Sequence, residues 1–147
     1  MATEEDNYKR PLKDIYDGFP ESLRMSVNKD AGKIWKYFVL WCFFIILSTM
    51  CVVGWISCDL IDESVGKRIQ RAGAIIPLFA VFGEAVFLIK LNNLASVIHP
   101  AKLLCEIYKE RRFKLLKNTS LYITAFFIFL GGILSGYGDL LYKQIAL

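Results

Sequence analysis

Three long apolar blocks, separated by segments rich in charge, dominate the pattern of hydrophobic and polar positions along the chain. Residues 37–58 contain no charged side chain, residues 72–90 carry a single acid, Glu84, and residues 121–142 carry Asp139 near their end. A helix needs about 20 apolar residues to cross a bilayer, and these blocks lack the strict alternation of barrel strands. The pattern therefore predicts an all-α integral membrane protein with three transmembrane helices.

The polar segments divide the rest of the chain. Residues 1–36 are predicted to form an N-terminal tail, residues 59–71 an outer loop, residues 91–120 a long connection, and residues 143–147 a short outer tail. The N-terminal tail carries charges of both signs and no cleavable signal pattern. We therefore expect the first apolar block to act as its own uncleaved insertion signal.

The distribution of basic residues predicts the orientation of the helices. Of the 18 lysines and arginines, seven precede the first block, and four flank the opposite ends. The other seven are Lys90, the last residue of the second block, and six residues between that block and the third. Because basic residues concentrate in cytoplasmic segments, the N-terminus and the long connection are predicted to be cytoplasmic, and the C-terminus to lie outside the inner membrane. The net charge of +4 then reflects topology and attraction to anionic lipid headgroups, and we expect no nucleic-acid partner.

The long connection is predicted to contain a cytoplasmic amphipathic helix. His99 and Pro100 are expected to end the second helix, and Pro100 suits the first turn of a new one, PAKLLCEIYKERRFKLLK. Six basic residues border its apolar face: Lys102, Lys109, Arg111, Arg112, Lys114 and Lys117. Lipid headgroups or the N-terminal tail are the favoured surface for this helix, and a soluble protein partner is the alternative. The segment from Asn118 to Ser120 is predicted to cap the third span.

Small residues and acids share one face on the second and on the third block. At helical spacings of 4, 3 and 4 residues, the stripe on the second block comprises Gly73, Pro77, Ala80 and Glu84. The stripe on the third block comprises Gly132, Ser135, Gly136 and Asp139. Small residues allow helix backbones to approach closely, so both stripes are predicted to face other helices. Pro77 is expected to leave the carbonyl group of Gly73 without its helical donor.

The acids within the apolar blocks are predicted to have different roles. Arg71 and Asp139 are expected at the same outer level, where an interhelical ion pair would fix the register. Glu84 is expected deeper in the bilayer, level with Ser48 and Thr49 of the first helix. Two interpretations of Glu84 stay open: a neutral carboxylic acid that joins helices, or an ionisable group that lines a shared cation pathway in an oligomer.

The residue types that support catalysis or metal binding do not form a recognisable pattern in this sequence. The four cysteines include no CxxC spacing, and the single histidine, His99, lies at the predicted helix break. Nucleophile-elbow and phosphate-loop motifs are absent from the sequence. We therefore expect a protein that is not an enzyme and that has no cofactor or metal site.

Two stretches carry a resemblance to a known group of proteins. KRIQRAGAIIPLFAVFGE and GGILSGYGDLLY resemble segments of small bacterial inner-membrane proteins, many of them uncharacterised, from phage-related and anti-phage islands. The group includes membrane effectors of defence systems such as retrons. The shared positions are Gln70, Arg71, Gly73, Glu84, Gly136, Tyr137, Gly138 and Asp139. The resemblance implies a membrane-disrupting or membrane-sensing effector that a soluble partner controls.

These observations lead to one functional hypothesis with two alternatives. The leading hypothesis is a small homo-oligomeric effector that alters the permeability of the lipid bilayer when a signal reaches its cytoplasmic segments. The first alternative is a membrane anchor for a cytoplasmic protein partner. The second alternative is a small channel that uses Glu84 for ions or protons.

Overall fold

The computed structural model describes residues 8–58, 63–95 and 103–145, and every regular element within them is helical. Helix α1 spans Leu12–Asp17, α2 spans Glu21–Ser57, α3 spans Val65–Ala95 and α4 spans Leu103–Ile145. Helices α2, α3 and α4 are each long and apolar enough to cross a membrane, which confirms the prediction of three such helices. We call the end of the bundle that carries α1 the basal end, and the end where α2 connects to α3 the distal end.

Helices α2 and α4 extend far beyond the predicted spans. With 37 and 43 residues, they are roughly 55 and 65 Å long at the helical rise, whereas the hydrocarbon core of a bilayer is about 30 Å thick. The prediction that the segment from Asn118 to Ser120 caps the third span was wrong, because Ser120 lies inside α4 and its hydroxyl donates to the carbonyl oxygen of Lys117 at 2.8 Å. The amphipathic segment and the third span therefore form one unbroken helix. His99, Pro100 and Lys102 lie outside the described residues.

Helix α3 is irregular along its length. It begins at Val65, so residues 65–71 of the predicted outer loop are helical. Pro77 lies within its α-helical part, and residues Glu84–Leu88 form a π-helical turn before α-helix resumes at Ile89. A π-turn holds one residue more than an α-turn, so it changes which side chains face the neighbouring helices. Leu88, the last residue of the turn, and Leu91 and Ala95, which follow it on the basal side, are all buried.

Helices α3 and α4 pack closely along small residues. A Cβ atom added to Gly73 would lie 2.7 Å from the Cβ atom of Leu134, and one added to Gly131 would lie 2.6 Å from Cγ of Pro77. Nearer the distal end, a Cβ atom on Gly138 would lie 2.9 Å from the backbone nitrogen of Gln70. These contacts fix an antiparallel register, in which Gln70 is level with Gly138 and Pro77 is level with Gly131. A step of seven residues along α3 is therefore matched by a step of seven residues in the opposite direction along α4.

Helix α2 packs on α3 mainly through aromatic side chains. The ring of Phe44 lies 6.2, 5.7 and 5.8 Å from the rings of Phe79, Phe82 and Phe87. In contrast, α2 and α4 make few contacts with each other. In the distal half they leave between them an apolar cleft of about 200 Å³, whose floor is formed by Ala80 and its neighbours on α3.

The basal end contains a second small core. We call α1, residues 21–36 of α2 and residues 103–120 of α4 the basal platform. The buried residues of this small core are Ile15, Phe19, Val27, Cys105 and Tyr108. The ring of Tyr108 lies 5.5 Å from that of Tyr16 and 5.9 Å from that of Phe19. The predicted N-terminal tail therefore folds against the predicted amphipathic segment.

Candidate functional site

Glu84 is the acid that the sequence places within an apolar block, and it occupies the first position of the π-turn in α3. Its side chain is half-buried. Gly73, Pro77 and Ala80 precede it on the stripe that faces α4, with Gly73 and Ala80 buried. Among the described residues, Glu84 has no hydrogen-bond or ion-pair partner. Glu84 therefore lies at the edge of the contact between α3 and α4, and its carboxyl group forms no hydrogen bond or ion pair with a described residue.

Thr124 of α4 lies at the level of Glu84. Pro77 contacts Gly131, and both Glu84 and Thr124 lie seven residues, or two helical turns, from that contact toward the basal end. The Thr124 side chain is only 2% exposed, and its hydroxyl oxygen Oγ1 is buried without a hydrogen-bond partner. The register therefore brings a buried hydroxyl group to the level of the acid.

Trp41 of α2 supplies a second buried polar atom at this level. A Cβ atom on Gly83 would lie 3.6 Å from Cδ1 of Trp41, the ring atom bonded to the indole nitrogen Nε1. Trp41 is 1% exposed, and its Nε1–H donor has no hydrogen-bond partner. The three long helices thus converge at one level that carries an indole N–H, a hydroxyl and a carboxyl group.

This arrangement differs from the level predicted for Glu84. Ser48 lines the distal cleft together with Ala80, and the Thr49 hydroxyl donates to the carbonyl oxygen of Ile45 in its own helix at 2.8 Å. The prediction was wrong because it aligned the ends of the apolar blocks, whereas α3 begins before its block. Trp41 and Thr124 were missed for the same reason, since only the register of the helices distinguishes them from other core residues.

Arg71 does not form the predicted ion pair with Asp139. Its guanidinium group pairs with Glu63 at 2.7 Å, and its side chain is 57% exposed. Arg71 points away from α4 because the α4-facing stripe passes through Gly66 and Gly73, and a Cβ atom on Gly66 would lie 3.2 Å from Cα of Asp139. Asp139 therefore contributes backbone to the helix contact.

Arg68 is the buried basic residue at the distal end. It is 6% exposed, and its Nη1 atom donates to the carbonyl oxygens of Ile56 at 3.2 Å and Cys58 at 2.7 Å. Ile56 belongs to the last turn of α2 and Cys58 directly follows the helix, where backbone acceptors lack helical donors and a positive charge is favourable. Arg68 therefore joins α3 to the end of α2, a role that its position in a charged loop did not reveal.

The small residues of α4 divide between two faces. Gly131 and Gly138 are buried against α3, and Ser135 contributes its backbone nitrogen to the contact with Gly73. Gly132 and Gly136, which were predicted to pack, are exposed, and a Cβ atom on either would meet nothing within 4 Å. Within one copy of the protein the glycines that contact α3 are therefore Gly131 and Gly138, because adjacent positions differ by about 100° around a helix.

The basic residues of α4 mostly bind within the basal platform. Lys109 pairs with Asp30 of α2 at 3.1 Å, and both side chains are largely buried. Arg111 donates to the carbonyl oxygen of Arg10 at 2.6 Å. Arg112 donates to the hydroxyl of Tyr108 at 2.9 Å and lies over its ring. Lys114 is exposed and Lys117 is half-buried.

Comparisons of the chain with protein-family models, with curated proteins and with solved structures find no match. The residues that the structure describes contain no group of three or more His, Cys, Asp or Glu that could hold a metal ion.

Proposed function

We propose that this protein is a small inner-membrane effector that changes the permeability of the bilayer when its cytoplasmic platform is displaced. One observation carries the proposal: α2 and α4 each run without a break from the basal platform through their apolar sections. Because a helix is stiff over this length, a movement at the platform is transmitted into the bilayer. A role in anti-phage defence rests on the resemblance of the second and third apolar blocks.

The platform supplies a contact that a signal can release. The ion pair between Lys109 and Asp30 and the rings of Phe19 and Tyr108 hold α2 and α4 together at the basal end. Toward the distal end the two helices are separated by the apolar cleft. A partner that opens the platform would therefore move two helices that have little direct contact to restrain them.

The exposed surface of α4 supports assembly into a homo-oligomer. Gly132 and Gly136 lie on the surface without a neighbour within 4 Å, and the large apolar residues around them include Phe129, which is 70% exposed. Small residues on a membrane-facing helix allow close approach of another helix. We expect copies of the protein to associate through this surface.

A membrane anchor for a cytoplasmic protein is the second candidate. Leu115 is 80% exposed and Met25 is 68% exposed, and both lie on the basal platform. Apolar side chains on a surface outside the membrane are candidates for protein docking. In this alternative the platform binds its partner and the bilayer stays sealed.

Expression in a bacterial host loaded with a membrane-potential dye separates the two candidates. We expect the wild-type protein to depolarise the membrane, and the platform variant Asp30→Asn to depolarise it further at equal abundance in the membrane. Asp14→Asn, which alters an acid of α1, is the matched control and should behave like the wild type. If neither the wild type nor Asp30→Asn depolarises the membrane, the effector proposal is overturned in favour of the membrane anchor.

A further inference from the structure

We propose that Trp41, Glu84 and Thr124 form a proton-binding site in the middle of the membrane, with the Glu84 carboxyl group as the acceptor. This proposal rests on the proposed function in one respect: if the protein makes the bilayer permeable, the proton is the ion that crosses it. The binding site itself follows from the burial and the level of the three side chains.

Two buried donors without partners are the first observation. The indole N–H of Trp41 and the hydroxyl of Thr124 come from different helices and are 1% and 2% exposed as residues. A buried polar group that lacks a hydrogen bond is costly, and each one in a native structure requires an explanation. Both lie at the level of Glu84, so a carboxyl group that turns inward would satisfy them together.

The backbone at Glu84 is the second observation. The residue begins the π-turn, and such turns occur frequently at functional sites. Its side chain is half-buried, so it is neither fully in the surrounding medium nor sealed inside the helix contact. The preceding residue is Gly83, and because it has no side chain, the ring of Trp41 can lie close to the backbone of α3.

The donor set selects a proton over a metal ion. An indole nitrogen can only donate, and a metal cation requires several oxygen ligands. A carboxylate has two acceptor oxygens, so one can accept from Trp41 and the other from Thr124. When the second oxygen takes a proton from a hydronium ion, one O–H bond of the hydronium breaks, a water molecule is released, and one O–H bond forms on the carboxyl group. The charge of the carboxyl group changes from −1 to 0, and the new O–H donates to the Thr124 hydroxyl oxygen.

Other titratable groups near the site are few in the described residues. Helix α2 contributes Tyr37 and Cys42, and α3 contributes Lys90, whose ammonium lies 5.9 Å from the centre of the Tyr37 ring. Helix α4 contributes Tyr122, whose ring is 74% exposed and so lies away from the core. Glu84 is therefore the acid whose charge Trp41 would sense, and Cys42 and Lys90 are the groups to control.

The fluorescence of Trp41 reports proton binding without any measurement of transport. Trp35→Phe and Trp55→Phe remove the two partly exposed indoles and leave Trp41 as the single tryptophan. In lipid vesicles, we expect the emission of Trp41 to titrate with pH, and Glu84→Gln to abolish this titration. Thr124→Val should alter this response, because it removes one of the two donors to the carboxyl group. Thr49→Val, Cys42→Ser and Lys90→Gln should leave a titration that depends on Glu84.

Two results would overturn the site: an emission that does not change with pH while the helices stay folded, or a titration that survives Glu84→Gln unchanged. Circular dichroism at each pH shows whether the helices persist. The conservative variant Glu84→Asp should restore a titration in part. If Trp41 titrates as expected while the membrane-potential dye stays silent, the proposed function fails and the proton site stands. The two failures are thereby distinguishable.

Discussion

The ring of Pro77 in α3 packs directly against the backbone of Gly131 in α4, at the point where Pro77 deprives the carbonyl of Gly73 of its helical donor. A Cβ atom on Gly131 would lie 2.6 Å from Cγ of Pro77 and 2.8 Å from the Gly73 oxygen. The Cα–H group of Gly131 therefore faces the freed carbonyl group, a weak interaction that recurs at close helix contacts.

This contact predicts different effects of alanine at two adjacent glycines. Gly131→Ala should destabilise the bundle by about 1–3 kcal/mol, because the added methyl group overpacks the contact with Pro77. Gly132→Ala should change stability by less than about 0.5 kcal/mol, since its Cβ atom meets nothing within 4 Å. Unfolding in mixed detergent micelles, followed by circular dichroism, measures both. Equal stability of the two variants would contradict the register of α3 and α4.

Two nearby arginines in α3 should differ in their contribution to stability. Arg68→Met should lower the free energy of unfolding by about 1–3 kcal/mol, because it removes two part-buried hydrogen bonds that a charged group donates to the end of α2. Arg71→Met should cost less than Arg68→Met, since the Arg71 side chain is 57% exposed and its pair with Glu63 is therefore partly screened by solvent. The same unfolding measurement tests both changes, and a larger loss at Arg71 would refute the assignment of the buried role to Arg68.

The pair of Lys109 and Asp30 should couple α2 to α4 at the basal end. A double-mutant cycle with Lys109→Met and Asp30→Asn should give an interaction energy of about 0.5–3 kcal/mol, because the two side chains touch and are largely buried. Lys114→Met combined with Asp30→Asn is the control, since Lys114 is exposed. An interaction energy near zero for the Lys109 pair would show that another contact holds the platform.

The sequence was sufficient for the class of fold but not for the ends and register of its helices. The apolar blocks predicted three spans because hydrophobic length alone distinguishes a membrane helix. They did not predict that α2 begins at Glu21, since its first sixteen residues are held by packing against α1 and α4 and carry no long apolar run.

The candidate site was predictable only in part. Glu84 was found because an acid in an apolar run is conspicuous, and Gly73 and Pro77 were found by helical spacing. Trp41 and Thr124 were missed, because a tryptophan or a threonine in a core gives no signal until neighbouring helices are aligned. The prediction of an ion pair between Arg71 and Asp139 was wrong because it considered only the depth of the two residues in the membrane. It did not consider the direction in which each side chain points from its helix.

The exposed glycines of α4 should control association between copies. Gly136→Ile should reduce the oligomer fraction in detergent, because a bulky side chain prevents close approach of a second α4 helix. Its thermal unfolding should be unchanged, since Gly136 makes no contact within the protomer. Chemical crosslinking in membranes measures the oligomer fraction, with Ile133→Val as a conservative control on the same helix. An unchanged oligomer fraction would exclude this face as the interface.

We propose that movement of the basal platform controls permeability, and a reversible covalent link across the platform tests this proposal. Val27 and Cys105 pack in the same buried cluster, one from α2 and one from α4. Val27→Cys, in a protein whose other three cysteines are replaced by serine, allows the two helices to be joined by a disulfide. Ion leakage from proteoliposomes is then measured before and after reduction. We expect no ion leakage from proteoliposomes with the oxidised protein, and we expect reduction of the disulfide to restore leakage. Equal leakage in both states would contradict control of permeability by the basal platform.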